Sequence, residues 1–169
     1  YEKFSYAKKK QIRKAQKELN LNTEMNGEDF YTHLSNYQNS KGKKVLYSKN
    51  FFLNLYETCK SNNQGEIIAV SDINGEVHAA LFVVWDKSIA YNLISTIHPK
   101  YKDSGASTLV VYDAIKHLAG KVKVFDFEGS MDQGIENSFR QFGTQQASYF
   151  SIKKYNSFTA KAILPLFKL

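Results

Sequence analysis

The sequence predicts an α/β (α+β) fold with a mixed, mostly antiparallel sheet, flanking helices and one parallel βαβ unit. Three apolar runs between residues 66 and 97 are joined by short turns, which is typical of an antiparallel meander. An apolar helix over 104–119 and a further strand at 122–127 follow them. A strand, a crossover helix and another strand make a βαβ unit, so the two strands that flank this helix are expected to be parallel.

Helical spacing dominates the chain before the meander. The first helix carries Ile12, Ala15 and Leu19 at intervals of three and four residues, which places them on one face. A serine before an apolar helical run is a typical helix cap. The predicted elements here are a helix over 5–19, a short strand at 21–25, a helix over 28–38 and a helix capped by Ser48.

Turn signals define the strands of the meander. Asn74-Gly75 is the strongest two-residue hairpin signal in the chain, and Pro99 closes the third strand. The helix over 104–119 is apolar nearly all round, so we expect it to be buried. The remaining predicted elements are strands at 66–73, 76–85 and 89–97, a helix ending at Gly143, a strand over 145–153 and a terminal helix capped by Ser157.

The composition favours one globular domain spanning residues 1–169. Hydrophobic residues make up 43% of the chain, which is enough for a substantial core. The single Cys59 excludes an internal disulfide framework and favours a reducing, cytoplasmic location. His33, His78 and His117 are scattered without metal-ligand spacing, so no metal site is expected. No apolar run reaches the roughly 20 residues that span a bilayer.

The net charge of +7 favours an anionic partner, and the positive charge is concentrated in the first helix. Two interpretations stay open for this helix. It is either a solvated face or a contact surface for a polyanion such as transfer RNA. The residues assigned to the second interpretation are Lys9, Lys10, Arg13 and Lys14.

A glycine-containing segment, Lys102-Asp103-Ser104-Gly105-Ala106-Ser107, opens the buried helix. The unpaired amides and the positive end of a helix favour a bound phosphate at this position. The alternative is an ordinary helix start with Ser104 or Asp103 as the cap.

Two carboxylates follow the strand at 122–127. Alternation places Asp126 and Glu128 on one strand face, at the sheet end where open α/β folds bind ligands. A partly buried carboxylate there would have a raised pKa and could act as a base, and Glu128 is nearer the open end. In the alternative interpretation, either residue caps the next helix or anchors the loop.

The order of elements resembles that of the GNAT superfamily of acyltransferases. The closest local matches are the Asp126-Phe127-Glu128-Gly129-Ser130 turn and the segment Phe139-Arg140-Gln141-Phe142-Gly143. The basic first helix is similar to that of the FemAB-like subgroup, whose members often contain two such domains. In the family's phosphate-binding signature, Gly105 matches, Lys102 stands in place of glutamine or arginine, and Ser107 replaces the last small residue.

The resemblance implies transfer of an acyl group, most simply acetyl, from acyl-CoA to the amine of a small molecule or peptide. Glu128, Asp126 and Tyr149 would then serve catalysis. The alternatives are a FemAB-like aminoacyl-tRNA-dependent transferase and a non-catalytic half that packs on a preceding N-terminal domain of a longer protein. The residues implied to bind the acyl-CoA are Ser95, Thr96, Ile97, Lys102, Ser104, Gly105, Ala106 and Ser107.

Overall fold

A computed structural model of the chain describes residues 1–148, 152 and 154. The predicted terminal helix and most of the predicted last strand lie outside these residues, and 145–148 carry no regular secondary structure. The elements are α1 (Tyr6–Ala15), β1 (Asn20–Asn22), α2 (Gly27–Ser40), α3 (Lys49–Ser61), β2 (Gly65–Ser71), β3 (Val77–Trp85), β4 (Ile89–Ile97), a 3₁₀ turn (Pro99–Tyr101), α4 (Ala106–Leu118), β5 (Val124–Asp126) and α5 (Gln133–Arg140).

The five strands form one mixed sheet in the order β1-β2-β3-β4-β5. Neighbours from β1 to β4 are antiparallel, and β4 and β5 are parallel. The hairpin between β2 and β3 is closed by the Asp72 carboxylate, which accepts hydrogen bonds from the amides of Asn74 and Glu76. The mixed, mostly antiparallel sheet with flanking helices and one parallel βαβ unit confirms the predicted fold class.

The parallel pair separates soon after it begins. Strand β5 pairs with β4 only at residues 89–91, so in the part of the chain that the structure describes the outer edge of 92–97 has no strand beside it. A bulge at Leu93 interrupts the pairing of β4 with β3. Leu93 and Ile94 consequently pack on the same side of the sheet, where strict alternation would place them on opposite sides.

Helices cover both faces of the sheet. On one face, α1 and α4 pack on Leu81 and Val83 of β3, and α4 is buried as predicted. On the other face, α2 and α3 pack on Phe82, whose ring centre lies 5.6 Å from that of Phe52. The sheet is therefore the middle of three layers. No helix in the described residues is long and apolar enough to cross a membrane.

The apolar stripe of α1 contains a buried lysine. Ile12, Ala15 and Leu19 are buried, as their spacing predicts, although α1 itself ends at Ala15. Lys8 lies one turn earlier on the same stripe and is 6% exposed. Its ammonium group donates to the hydroxyl oxygens of Thr108 at 3.1 Å and Ser138 at 2.8 Å. Burial lowers the pKa of Lys8, since the charged form is poorly solvated there.

We expect the Lys8→Met variant to lose a pH dependence of stability that the unchanged chain has. The folded pKa of Lys8 lies below its ordinary value of 10.5, so the unfolded chain binds more protons between the two pKa values. The free energy of unfolding of the unchanged chain should therefore rise with pH through that window, relative to the variant. Urea unfolding between about pH 7 and pH 10 measures this difference. Parallel pH profiles for the two chains would contradict the assignment.

Candidate functional site

Three features lie toward the same edge of the sheet. Because β4 and β5 are parallel, their carboxyl ends point to the same edge, and the amino end of α4 follows β4 there. The outer edge of 92–97, beside which the described residues place no strand, borders this region. In open α/β sheets, ligands bind at such strand ends. The candidate site is therefore built from the end of β4, the start of α4 and the turn after β5.

Helix α4 begins at a different N-cap residue from the one that the sequence predicts. Gly105 is the N-cap residue, its φ is +81°, and no side chain caps the helix from this position. Ser104 lies one residue earlier, where its hydroxyl accepts a bond from the Ala106 amide and donates one to the Tyr101 carbonyl oxygen. The predicted cap by Ser104 or Asp103 is therefore wrong, because the left-handed turn at glycine leads the chain into the helix.

Two backbone amides at this helix start are free to bind a ligand. The amides of Gly105 and Ser107 make no hydrogen bond to any residue that the structure describes. The positive end of the 13-residue helix α4 adds to their attraction for an anion. The segment predicted to hold a phosphate thus has the donors for that role.

The basic helix α1 lies beside this loop. A Cβ added at Gly105 would be 3.1 Å from the Gln11 carbonyl oxygen, so a larger residue would push the loop away from α1. Between them is an open pocket of about 350 Å³. Three lysines and one aspartate line it, so its charge is positive. The lining residues are Ala7, Lys10, Gln11, Lys14, Lys102, Asp103, Gly105, Ser107 and Thr108.

Two regions that the sequence presents separately therefore form one pocket. They are the basic helix and the 102–107 loop. The available sequence signal is the spacing of Lys10 and Lys14, which places both on one helix face. Nothing in that spacing indicates which helix face meets the loop.

The predicted donor-binding residues at the end of β4 differ in their surroundings. Ser95 is an exposed residue, and its hydroxyl donates to the Asn92 side-chain oxygen at 2.8 Å in a partly buried bond. Thr96 is buried and bonds to the His33 ring at 3.1 Å, and Ile97 packs on the cluster between α1 and α4. The side chains of Thr96 and Ile97 thus belong to the core, and only the backbone groups of β4 that point away from β3 are available to a ligand.

The turn after β5 separates the two predicted carboxylates. Strand β5 ends at Asp126, and the shared strand face does not extend to Glu128, whose φ is +59°. The Asp126 carboxylate accepts a bond from the Glu128 amide at 2.7 Å, which anchors the loop. Glu128 is an exposed residue, and the partial burial of its carboxyl group, followed by the charge of Asp126, raises its pKa. Tyr149 lies outside the described residues.

His33 and His78, which the sequence analysis describes as scattered, lie near His98 and Tyr101 in the folded chain. The His78 ring stacks on Tyr101 with 3.6 Å between ring centres, and His98 lies 5.1 Å from the same ring. His33 lies 5.9 Å from His98. They come from α2, β3 and the segment after β4, so only the folded chain brings them together. No group of three or more His, Cys, Asp or Glu side chains in the described residues could hold a metal ion.

A larger pocket of about 570 Å³ lies at the opposite edge of the sheet. Gly65 at the start of β2 and Trp85 at the end of β3 line it. Because these positions lie far along the strands from the loop before α4, this pocket is separate from the candidate site.

The fold is shared with solved acyltransferases. Glucosamine-6-phosphate N-acetyltransferase from Arabidopsis thaliana has a TM-score of 0.58 at 11% identity, with 82% of this chain and 99% of that chain covered. An aminoglycoside acetyltransferase from an uncultured soil metagenomic sample has a TM-score of 0.57 at 12% identity, covering 81% and 99%. FemX has a TM-score of 0.68 at 11% identity, covering 83% of this chain and 54% of FemX.

The sequence comparisons identify the family. No curated protein matches the chain significantly. The family model described as "Acetyltransferase (GNAT) domain" matches residues 2–137, which include every element from α1 to β5 and the first part of α5. The chain belongs to the GNAT acetyltransferase-domain family.

Proposed function

We propose that this domain is an N-acyltransferase that moves an acyl group, most simply acetyl, from acyl-CoA to the amine of a small molecule or peptide. The observation that supports this most directly is the positively charged pocket at the start of α4. It combines two free backbone amides with three lysines at the ligand-binding edge of a GNAT fold. This combination suits a phosphate-bearing donor.

The acyl-CoA would extend from the pocket along β4. The amides of Gly105 and Ser107, together with Lys102, would hold the diphosphate. No strand among the described residues pairs with the outer edge of 92–97, so this edge offers hydrogen-bond donors and acceptors to the amide groups of the pantetheine arm, much as a sheet edge accepts an added strand. The side chains of Ser104, Ala106 and Thr96 would then act mainly by shaping the loop and the strand.

The chemistry needs a base and a leaving thiol. The acceptor nitrogen attacks the thioester carbonyl carbon, the carbon–sulfur bond breaks, and coenzyme A leaves as a thiolate. A base takes the one proton that the amine nitrogen loses, and that proton is then passed to the thiolate, which becomes the free thiol. We assign this role to Glu128, because its pKa is raised and its strained backbone is typical of functional residues. Tyr149 is kept as a proposed substrate contact.

Calorimetry with acetyl-CoA and coenzyme A tests the donor assignment. We expect both to bind, with an affinity that falls as salt is added, because exposed lysines contribute to the pocket. An assay of free thiol against a panel of amines then tests transfer. Absence of binding at millimolar donor would remove the acyl-CoA function.

A FemAB-like transferase that takes its amino acid from aminoacyl-tRNA is the second candidate. The similarity to FemX and the basic helix α1 favour it. In this candidate Lys9, Lys10, Arg13 and Lys14 would contact RNA phosphates. Replacing all four by glutamine should then weaken tRNA binding, and each lost phosphate contact should reduce the slope of log affinity against log salt by about 0.7 to 0.9. An unchanged slope would mean that α1 does not bind RNA.

We also propose that residues 1–169 act as one domain of a two-domain protein. The observation in favour is that the match covers 54% of FemX. That share is what one domain would cover in a FemAB-like member with two domains. Limited proteolysis of the protein made from the complete gene tests this, and a stable fragment that ends within α1 would contradict it.

A further inference from the structure

We propose that Lys10 and Lys14 of α1 bind the phosphate that coenzyme A carries on its ribose, so that the basic helix sets the preference for the complete coenzyme. The inference rests on the proposed acyl-CoA-dependent function. It assigns donor discrimination to residues outside the loop that opens α4.

Basic residues lie on two neighbouring stripes of α1. Lys10 and Lys14 are four positions apart, so they lie one turn apart on the same face, and both line the pocket. Lys9 and Arg13 have the same spacing but lie about 100° away around the helix, and neither lines the pocket. Only one of the two stripes can therefore contact a ligand held at the loop.

The stripe formed by Lys9 and Arg13 lies outside the pocket. The Lys9 ammonium donates to the Glu2 carbonyl oxygen at 2.8 Å and lies 5.6 Å from the centre of the Tyr1 ring. Lys9 thus contacts the segment that precedes α1. The two stripes carry equal charge on one helix, so they can be compared directly by substitution.

The pocket offers cations from two separate elements. The loop provides Lys102 and the amides of Gly105 and Ser107, which make no hydrogen bond to a described residue and would bind the diphosphate. Lys10 and Lys14 reach the same pocket from α1 and remain available for a further anionic group. Coenzyme A carries such a group on its ribose, in addition to the diphosphate.

The charge balance of the pocket supports a ligand with more than one phosphate. The Asp103 carboxylate lines the pocket as well and opposes an anion. The ammonium groups of Lys10, Lys14 and Lys102 outnumber it. Because Asp103 adjoins Lys102 in the loop, it offsets the loop cation more directly than the two cations of α1.

The test compares two double variants, Lys10→Gln/Lys14→Gln and Lys9→Gln/Arg13→Gln, by calorimetry. Each removes two positive charges at the same spacing from α1. The ligands are coenzyme A and dephospho-coenzyme A, which lacks only the ribose phosphate. We expect the unchanged chain to prefer coenzyme A about two- to thirtyfold, the range that two exposed ion pairs give. Lys10→Gln/Lys14→Gln should abolish the preference, and Lys9→Gln/Arg13→Gln should retain it.

The other outcomes overturn the inference in distinguishable ways. If coenzyme A binds and Lys10→Gln/Lys14→Gln keeps the preference, the ribose-phosphate assignment fails and the proposed function stands. The ribose-phosphate assignment also fails, and the proposed function also stands, if Lys10→Gln/Lys14→Gln weakens the binding of coenzyme A and of dephospho-coenzyme A equally. If no chain binds coenzyme A, the proposed function fails together with the inference. Equal weakening of tRNA binding by both double variants, with coenzyme A affinity unchanged, would identify α1 as a polyanion surface.

Discussion

Replacing Gly105 by alanine is expected to weaken acetyl-CoA binding at least about tenfold, which corresponds to about 1.4 kcal/mol. Two features of the site support this. The φ of +81° at Gly105 disfavours any side chain, and an added Cβ would be 3.1 Å from the Gln11 carbonyl oxygen. The loop would therefore move away from α1, which displaces the amides of Gly105 and Ser107 from the three lysines. Calorimetry gives the affinity, and urea unfolding gives the stability.

Gly120→Ala is the matched control for this prediction. Gly120 has a φ of +87°, close to that of Gly105, but a Cβ there would meet no atom within 4 Å. It follows the far end of α4, which is 13 residues long, or roughly 20 Å at 1.5 Å per residue. The control should lose about 1–2 kcal/mol of stability from backbone strain alone. Gly120→Ala should bind acetyl-CoA as tightly as the unchanged chain does. Equal acetyl-CoA affinities for Gly105→Ala and Gly120→Ala would contradict the assignment of the acetyl-CoA site to the start of α4.

The fold could be predicted because its elements carry local signals. Strand β4 occupies the predicted range 89–97, and the Asn74-Gly75 turn connects β2 to β3. The all-round apolar pattern of 104–119 indicates burial, and α4 is indeed buried. These properties depend on residues close to one another in the sequence. Hydrophobic periodicity detects patterns over this short range.

The pocket could not be predicted because it depends on contacts between distant parts of the chain. Lys8 of α1 bonds to Thr108 of α4, 100 positions later. That packing decides which lysines of α1 face the loop. The bulge at Leu93 is equally hidden, because the adjacent apolar residues Leu93 and Ile94 fit either strict alternation, with one of them on each face, or one extra residue.

The turn that contains Asp126 and Glu128 shows where strand alternation no longer predicts the direction of a side chain. Alternation places Asp126 and Glu128 on one face only while the chain remains a strand. The strand ends at Asp126, whose side chain accepts the Glu128 amide, and Glu128 takes a left-handed conformation. The two carboxylates thus differ in their surroundings: the Asp126 carboxylate accepts the bond that anchors the loop, and the Glu128 carboxylate makes no hydrogen bond to any residue that the structure describes.

Glu128→Gln is expected to reduce kcat by about 10²- to 10⁴-fold if Glu128 is the general base. Glutamine has the same size, so it should fit the same backbone without altering the loop, but it cannot accept the proton of the attacking amine. Because a base must be deprotonated to act, kcat/KM of the unchanged enzyme should rise with pH through the pKa of Glu128. Urea unfolding should show that the variant is as stable as the unchanged chain.

Asp126→Asn separates the role of the base from that of its neighbour. Asparagine keeps an oxygen that can accept the Glu128 amide, so the turn should remain intact, but it removes the negative charge. Burial is the main cause of the raised pKa of Glu128, and the Asp126 charge adds to it. Without that charge the pKa should fall, and the rise of kcat/KM should move to lower pH with little loss at high pH. A shift to higher pH, or full activity of Glu128→Gln, would show that another group takes the proton.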